Sequence, residues 1–123
     1  YLMANTPASK KAKGKRLERE VSAHYRHIGL FSDAKPQLLS GGGYLKGDIW
    51  TKEPNEFAEE CKNQERVSIW KWWDQTTAQQ GIGQKPLLHI SANYRPILTV
   101  LRFEDFAQMR LELKQLREER GIK

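Results

Sequence analysis

The 123-residue sequence contains a single cysteine and three histidines. One thiol, Cys61, cannot form a disulfide within the chain and excludes a zinc site built on several thiolates. The histidines show no ligand spacing, so we interpret them as structural or phosphate-adjacent residues. No stretch approaches the roughly 20 apolar residues of a membrane-spanning helix, and no leader pattern opens the chain. We therefore expect a cytoplasmic protein.

Positive charge is abundant, with a formal net charge of +6 that favours an anionic partner. The basic residues concentrate near the N-terminus, at Lys10, Lys11, Lys13, Lys15 and Arg16. Such a run is usually a solvated surface, and it contacts phosphate when the partner is a nucleic acid. The composition predicts a flexible basic arm over residues 1–12 and one domain over residues 13–123.

Apolar periodicity predicts the element order α-β-β-β-α-β-β-α. The predicted helices cover residues 14–28, 67–80 and 104–120, and the predicted strands cover residues 37–39, 44–51, 57–63, 87–92 and 97–103. This order is typical of an α/β or α+β domain with a mixed central β-sheet flanked by helices.

Two carboxylates and one amine form the main candidate site. Asp48 lies near the end of the second predicted strand, and Glu60 and Lys62 alternate along the third. Because alternate side chains of a strand share a face, Glu60 and Lys62 lie together, and a neighbouring strand could add Asp48. This set suits metal-assisted phosphodiester cleavage, in which carboxylates hold Mg²⁺ and the lysine orients water or offsets charge. Cys61 points to the opposite face, where we expect it to be buried.

A second interpretation gives these residues structural roles and no part in catalysis. Asp48, Glu60 and Lys62 could be a surface ion pair with a neighbouring acid. Glu18 could be an exposed helix residue paired with a basic neighbour. Gln64, on the same face as Lys62, either positions water or phosphate or is a polar residue at the strand end.

The second predicted helix carries three tryptophans, Trp70, Trp72 and Trp73. Trp70 and Trp73 are three residues apart, so we expect them to share a face that packs in the core or in a subunit interface. Trp72 falls off that face and is expected to be a second interface anchor or an exposed DNA contact.

Four motifs together resemble the PD-(D/E)xK nuclease superfamily. They are the helix motif Lys13-Gly14-x-x-x-Glu18-Arg19-Glu20-Val21, the Ser40-Gly-Gly-Gly loop, Gly47-Asp48-Ile49 and Glu60-Cys61-Lys62. More narrowly, residues 13–106 resemble the archaeal-type Holliday junction resolvases, including versions carried by phages.

The resemblance implies a role for each matching residue. Asp48 and Glu60 correspond to the metal-binding carboxylates, and Lys62 corresponds to the catalytic lysine. Glu18 corresponds to a helix glutamate that binds the metal directly or through water. Ser40 corresponds to a serine that helps to engage the scissile strand.

The sequence departs from the superfamily pattern at two positions. Gly47 stands where the pattern has proline, and Glu59 stands where an apolar residue is usual. A slip of one residue would make Glu59 the ligand, but only Glu60 shares a face with Lys62.

The resemblance implies a Mg²⁺- or Mn²⁺-dependent endonuclease that cuts four-way DNA junctions as a homodimer in the cytoplasm of a phage host. Phosphate contacts are expected from Lys10, Lys11, Lys13, Lys15, Arg16, Lys46, Gln64 and Arg66. Two alternatives remain: a nuclease of the same superfamily acting on ends, flaps or nicks, and a non-catalytic DNA-binding protein.

Overall fold

The first helix begins earlier than the sequence predicts. A computed structural model describes residues 7–38 and 47–121, with side chains from residue 11 onward, and helix α1 spans Pro7–Ile28. Proline suits a first helical position because its missing N–H would have no partner there. Residues 7–12 are helical in the structure, in agreement with the helix preference of alanine and lysine. Gly29, at a φ of +79°, follows its last residue.

Five strands form two small sheets. Strand β1 (Lys35–Pro36) pairs antiparallel with β2 (Ile49–Trp50). Strands β3 (Phe57–Asn63), β4 (Lys85–Ser91) and β5 (Leu98–Val100) form a three-stranded sheet in the order β3-β4-β5, with β3 parallel to β4 and β4 antiparallel to β5. The bounds of β3 match the prediction. Strand β1 lies entirely before the predicted segment 37–39, and residues 37 and 38 belong to no strand, so this prediction is wrong for the described residues. The second predicted strand, 44–51, is reduced to residues 49–50 among the described residues, and residues 44–46 lie outside them.

Two further helices complete the order. Helix α2 (Ile69–Ala78) connects the parallel strands β3 and β4, which need a crossover of this kind, and α3 (Phe103–Glu119) follows β5. The predicted order α-β-β-β-α-β-β-α and the mixed sheet flanked by helices are confirmed. Among the described helices, none combines the length and the apolar character needed to cross a bilayer.

The backbone around Gly47 joins the two sheets. The Asp48 N–H donates a 2.7 Å hydrogen bond to the Glu59 carbonyl, and the Gln37 N–H donates a 2.8 Å bond to the Asp48 carbonyl. Gly47 has a φ of +88°, and a Cβ there would lie 3.1 Å from the Glu59 oxygen. Proline, whose φ is fixed near −65°, could not adopt this conformation. Glycine at this position thus allows the close approach that places Asp48 beside β3.

Two apolar clusters pack on opposite sides of the three-stranded sheet. The cluster against α1 contains Leu17, Val21, Ala34, Ile49 and Cys61, and the cluster against α2 contains Trp72, Leu88 and Ile90. The expected burial of Cys61 is confirmed, since it is only 5% exposed.

Helix α2 packs on the sheet through a different face from the predicted one. Trp72 is 4% exposed in the core, whereas Trp70 is 78% exposed. Residues 69, 72, 73 and 76 follow the i, i+3, i+4, i+7 spacing of one helix face, and this face packs on the sheet. The prediction of Trp72 as an interface anchor or DNA contact is therefore wrong, while Trp70 remains exposed.

Glu59 is the centre of a buried polar network on the α1 side of β3. One carboxylate oxygen, Oε1, accepts a hydrogen bond from the Tyr25 hydroxyl and lies 2.7 Å from His89 Nε2. The other, Oε2, accepts a 2.6 Å bond from Asn55 Nδ2. Burial raises the pKa of Tyr25, so its hydroxyl stays protonated and donates. Glu59 thus links α1, β4 and the loop before β3.

We expect Tyr25→Phe to lower the free energy of unfolding by about 1–2 kcal/mol, because a buried charge-assisted hydrogen bond is lost without a change in ring volume. Urea denaturation measures the difference. The matched control is Tyr94→Phe, because Tyr94 is fully exposed. Equal stability of the two variants would contradict a stabilising role for the Glu59 network.

Candidate active site

Three acidic side chains from different parts of the chain are buried in one patch. Glu18 lies on α1, Asp48 immediately precedes β2, and Glu60 lies on β3, and each is 6% exposed. Repulsion by Asp48 raises the pKa of both Glu18 and Glu60, after the larger effect of burial. The fold therefore brings together the three carboxylates singled out from the sequence, at a cost in electrostatic energy.

Asp48 is fixed to β3 by its side chain as well as by its backbone. Its Oδ2 accepts a 2.8 Å hydrogen bond from the Cys61 N–H. Burial raises the pKa of Asp48, while the hydrogen bond from Cys61 and the charge of Lys62 oppose the shift. These bonds set the orientation of the carboxylate against the strand that carries Glu60.

Glu60 has the most perturbed carboxyl group of the three. Burial and repulsion by Asp48 raise its pKa to about 7, against an opposing effect of Lys62. The Lys62 Nζ lies 3.5 Å from Glu60 Oε1, and the Lys62 side chain is 21% exposed. The expected pairing of these two residues on one face of β3 is therefore present.

Glu18 is paired with a residue that the sequence analysis assigned to DNA. Lys15 Nζ lies 3.2 Å from Glu18 Oε2, at the i, i+3 spacing of α1. Lys15 opposes the rise in the pKa of Glu18 caused by burial and by Asp48. Lys15 therefore belongs to the acidic patch as well as to the basic face of α1.

The carboxylates of Glu18, Asp48 and Glu60 are donors of the type that could hold a hard divalent cation such as Mg²⁺ or Mn²⁺. Glu60 Oε2 is buried and has no hydrogen-bond partner among the described residues. Carboxylate oxygens are the ligands that Mg²⁺ prefers, and a cation beside them would offset their mutual repulsion. Within residues 7–38 and 47–121, no three histidine, cysteine, aspartate or glutamate side chains form a preassembled metal centre.

The predicted phosphate contacts differ in their surroundings. Lys11, Arg16 and Arg66 are exposed, and Gln64 is half-buried. Lys13 Nζ lies 3.7 Å from Glu65 Oε1. Ser40 and Lys46, together with the side chain of Lys10, lie outside the described part of the chain.

Asn63 and the Glu59 network were not singled out as structural supports by the sequence analysis. Asn63 Nδ2 donates a 3.0 Å hydrogen bond to the Lys13 carbonyl, which holds the basic part of α1 beside the end of β3. Strand alternation predicts that both side chains are buried, because Glu59 and Asn63 share the buried face of Cys61. A polar residue on such a face needs a hydrogen-bond partner.

Removal of the Glu60 charge should increase the free energy of unfolding at alkaline pH when no divalent cation is present. The carboxyl titrates near 4.5 in the unfolded chain and near 7 in the fold. Below pH 4.5 it is protonated in both states, and the fold buries no charge. Between pH 4.5 and about 7 the unfolded chain ionises while the folded protein keeps the proton, so stability falls, and above about 7 the fold buries the ion and the loss is complete. In EDTA, Glu60→Gln should therefore gain on the order of 3 kcal/mol relative to wild type between pH 4.5 and pH 8.

Urea denaturation at the two pH values measures this gain. Glu20→Gln is the matched control, because Glu20 is exposed on α1. If the free energies of unfolding of wild type and Glu60→Gln changed in parallel with pH, the result would contradict the burial of an uncompensated charge at Glu60.

One comparison with known proteins identifies a family. Residues 9–120 match the family model described as phage putative PDDEXK endonuclease, and the matched range contains Glu18, Asp48, Glu60 and Lys62. No curated protein and no solved structure matches the chain. The match confirms the resemblance to the PD-(D/E)xK superfamily at the level of a nuclease family and leaves the preferred DNA structure open. The chain belongs to the phage putative PDDEXK endonuclease family.

Proposed function

We propose that this protein is a Mg²⁺-dependent endonuclease that resolves four-way DNA junctions. The observation that carries the nuclease assignment is the buried Glu18, Asp48 and Glu60 patch with the Lys62 ammonium group 3.5 Å from Glu60. Burial of like charges is costly to a fold, and such groups are concentrated at functional sites. Family membership supports the same reaction class.

Asp48 and Glu60 are the proposed metal ligands, with Glu18 as a third ligand or as a residue that hydrogen-bonds metal-bound water. Bound Mg²⁺ or Mn²⁺ would supply Lewis-acid activation of the phosphoryl group and a lowered pKa for coordinated water. The bond from the Cys61 N–H holds one oxygen of Asp48, and Glu60 keeps a buried oxygen that is free of hydrogen bonds among the described residues.

Lys62 is the proposed catalytic amine. Its Nζ is held beside Glu60, while about a fifth of the side chain stays in contact with solvent. From this position the ammonium group can hydrogen-bond an attacking water or a non-bridging phosphate oxygen. Either contact offsets the negative charge that develops in the transition state.

Backbone phosphates are the proposed binding target of the basic residues. Asn63 ties the start of α1 to the end of β3, so the exposed Lys11 and Arg16 lie on the helix that borders the acidic patch. Arg66 is exposed in the segment that follows β3. Contacts to phosphate give affinity with little dependence on base sequence.

A four-way junction is the proposed substrate because its two-fold symmetry requires two opposed cuts. A homodimer with two copies of the acidic patch matches that symmetry. This part of the proposal is based on the resemblance to junction resolvases. Nucleases on a shared core act on many DNA structures, so ends, flaps and nicked duplexes form the second candidate class.

We expect the purified protein to introduce paired symmetric nicks into an end-labelled four-way junction in Mg²⁺ and not in EDTA. Glu60→Ala and Lys62→Ala should each reduce the cleavage rate by at least about 100-fold and retain junction binding, since charge stabilisation in the transition state is lost. Denaturing gel electrophoresis measures the cut positions and rates, with linear duplex, nicked duplex and flap DNA in parallel.

Glu20→Ala is the control for this experiment, because it removes a carboxylate from the exposed face of α1. Cleavage spread over duplex or flap substrates would overturn the junction assignment and retain the nuclease. Tight binding of every substrate with no cleavage of any would assign the carboxylates a structural role.

Removal of one phosphate contact should flatten the salt dependence of DNA binding. In the cleavage-deficient Glu60→Ala background, we expect Arg16→Ala and Arg66→Ala each to reduce the slope of log K against log salt by about 1. Fluorescence anisotropy across a salt series measures the slope. Lys52→Ala is the control, because Lys52 is exposed in the loop that precedes β3. An unchanged slope in the arginine variants would remove them from the DNA interface.

A further inference from the structure

Helix α3 presents an apolar stripe that nothing in the described part of the chain buries. Phe106, Met109, Leu113 and Leu116 are 44%, 46%, 46% and 50% exposed, and no side chain of residues 103–119 is buried. A contiguous exposed apolar surface of this kind marks an interaction site.

The spacing of the stripe is that of a coiled-coil seam. Its four residues are separated by three, four and three positions, which makes them the a and d positions of two successive heptads. The pattern assigns Phe106 and Leu113 to a, and Met109 and Leu116 to d. A partner helix that supplies the same seam would cover the stripe by knobs-into-holes packing.

The charges beside the seam are complementary to a second copy of the same helix. The g positions carry Asp105 and Glu112, and the e positions carry Arg110 and Arg117. In a parallel pair, each g residue lies opposite the e residue of the next heptad, so Asp105 meets Arg110 and Glu112 meets Arg117 across the seam. In an antiparallel pair, g faces g and e faces e, which would oppose like charges. The charge order therefore favours a parallel pair of identical helices.

Apolar surface continues beyond the start of α3. A groove of about 480 Å³ is lined by α2 and by the segment around Phe103, which is 80% exposed, and it includes Trp70 at 78% exposure. In a parallel pair the two helix starts are adjacent, so the grooves of both copies lie at the same end of the dimer. This surface adds to the seam, which is otherwise shorter than the roughly three heptads typical of an isolated coiled coil.

We propose that α3 pairs with α3 of a second copy as a parallel two-stranded coiled coil, and that this pair forms the homodimer interface. The second copy is the occupant because its e and g charges complement those of the first. The interface is separate from the acidic patch, and association is measured without DNA or metal. The proposal therefore stands or fails independently of the nuclease assignment.

The test compares two leucines of equal exposure. Leu113 lies in the seam and Leu111 lies on the outer face of α3, and both are 46% exposed. Sedimentation equilibrium from about 1 µM to about 1 mM should show a dimer for wild type and for Leu111→Gln. Leu113→Gln should dissociate at least about tenfold more readily. Circular dichroism of each variant verifies that the fold is retained.

A charge exchange tests whether the helices pair with themselves. Glu112→Arg and Arg117→Glu each place like charges across the seam twice per dimer, so each should weaken self-association about tenfold. An equimolar mixture should recover a heterodimer of wild-type affinity. Lys114→Glu, which reverses a charge on the outer face, should leave the dimer unchanged.

Disulfide trapping tests the orientation. Arg120→Cys occupies the next a position, so in a parallel pair the two introduced thiols meet and form a disulfide on oxidation. Lys114→Cys points away from the seam and should not cross-link, while Cys61 is buried and contributes none. A wild-type monomer over the whole concentration range, equal effects at Leu111 and Leu113, a charge-exchanged mixture that stays dissociated, or no cross-link at residue 120 would each overturn the proposal.

Discussion

The two hydrogen bonds between Asp48 and β3 are the constraint on which the site depends. The Asp48 N–H donates to the Glu59 carbonyl, and its carboxylate accepts from the Cys61 N–H. Strand β2 has only two residues, so its own pairing is a weak determinant of position. These bonds attach it to the edge of the three-stranded sheet and place one carboxylate against another. Gly47 allows the contact because its φ of +88° is unfavourable for other residues, and because a Cβ there would lie only 3.1 Å from the Glu59 carbonyl oxygen.

Burial of these acids destabilises the fold, and hydrogen bonds on the opposite face of β3 offset the loss. Glu60 is buried next to Asp48 with only partial compensation by Lys62, which is why its pKa rises. One residue earlier, Glu59 has hydrogen-bond partners for both of its oxygens. Its contact with Tyr25 holds α1 on the sheet, and α1 carries Glu18. The stable network on one face thus supports the destabilising acids at the other, a division common in proteins that retain function at the expense of stability.

Part of the candidate site could be predicted from the sequence because strand alternation is local. The bounds of β3 and the pairing of Glu60 with Lys62 follow from a two-residue period that needs no knowledge of the partner strands. The face of α2 was assigned wrongly, since tryptophans at positions 70, 72 and 73 allow two overlapping helix faces, and packing on the sheet selects the face with Trp72. The contact of Gly47 with Glu59 joins residues twelve positions apart, so local spacing does not predict it. In the sequence, Gly47 is recognisable only as a departure from the superfamily pattern, which has proline at this position.

Adjacent acids on opposite faces also bear on how β3 finds its register during folding. A shift of one residue that brings Glu60 to the position of Glu59 would still supply that buried network with a glutamate. The same shift would bring Lys62 to the position of Cys61 and place an ammonium group in the apolar cluster around Leu17 and Val21. Burial of that unpaired charge is costly. The order Cys61-Lys62 thus discriminates against a misaligned strand that the position of Glu59 by itself would tolerate.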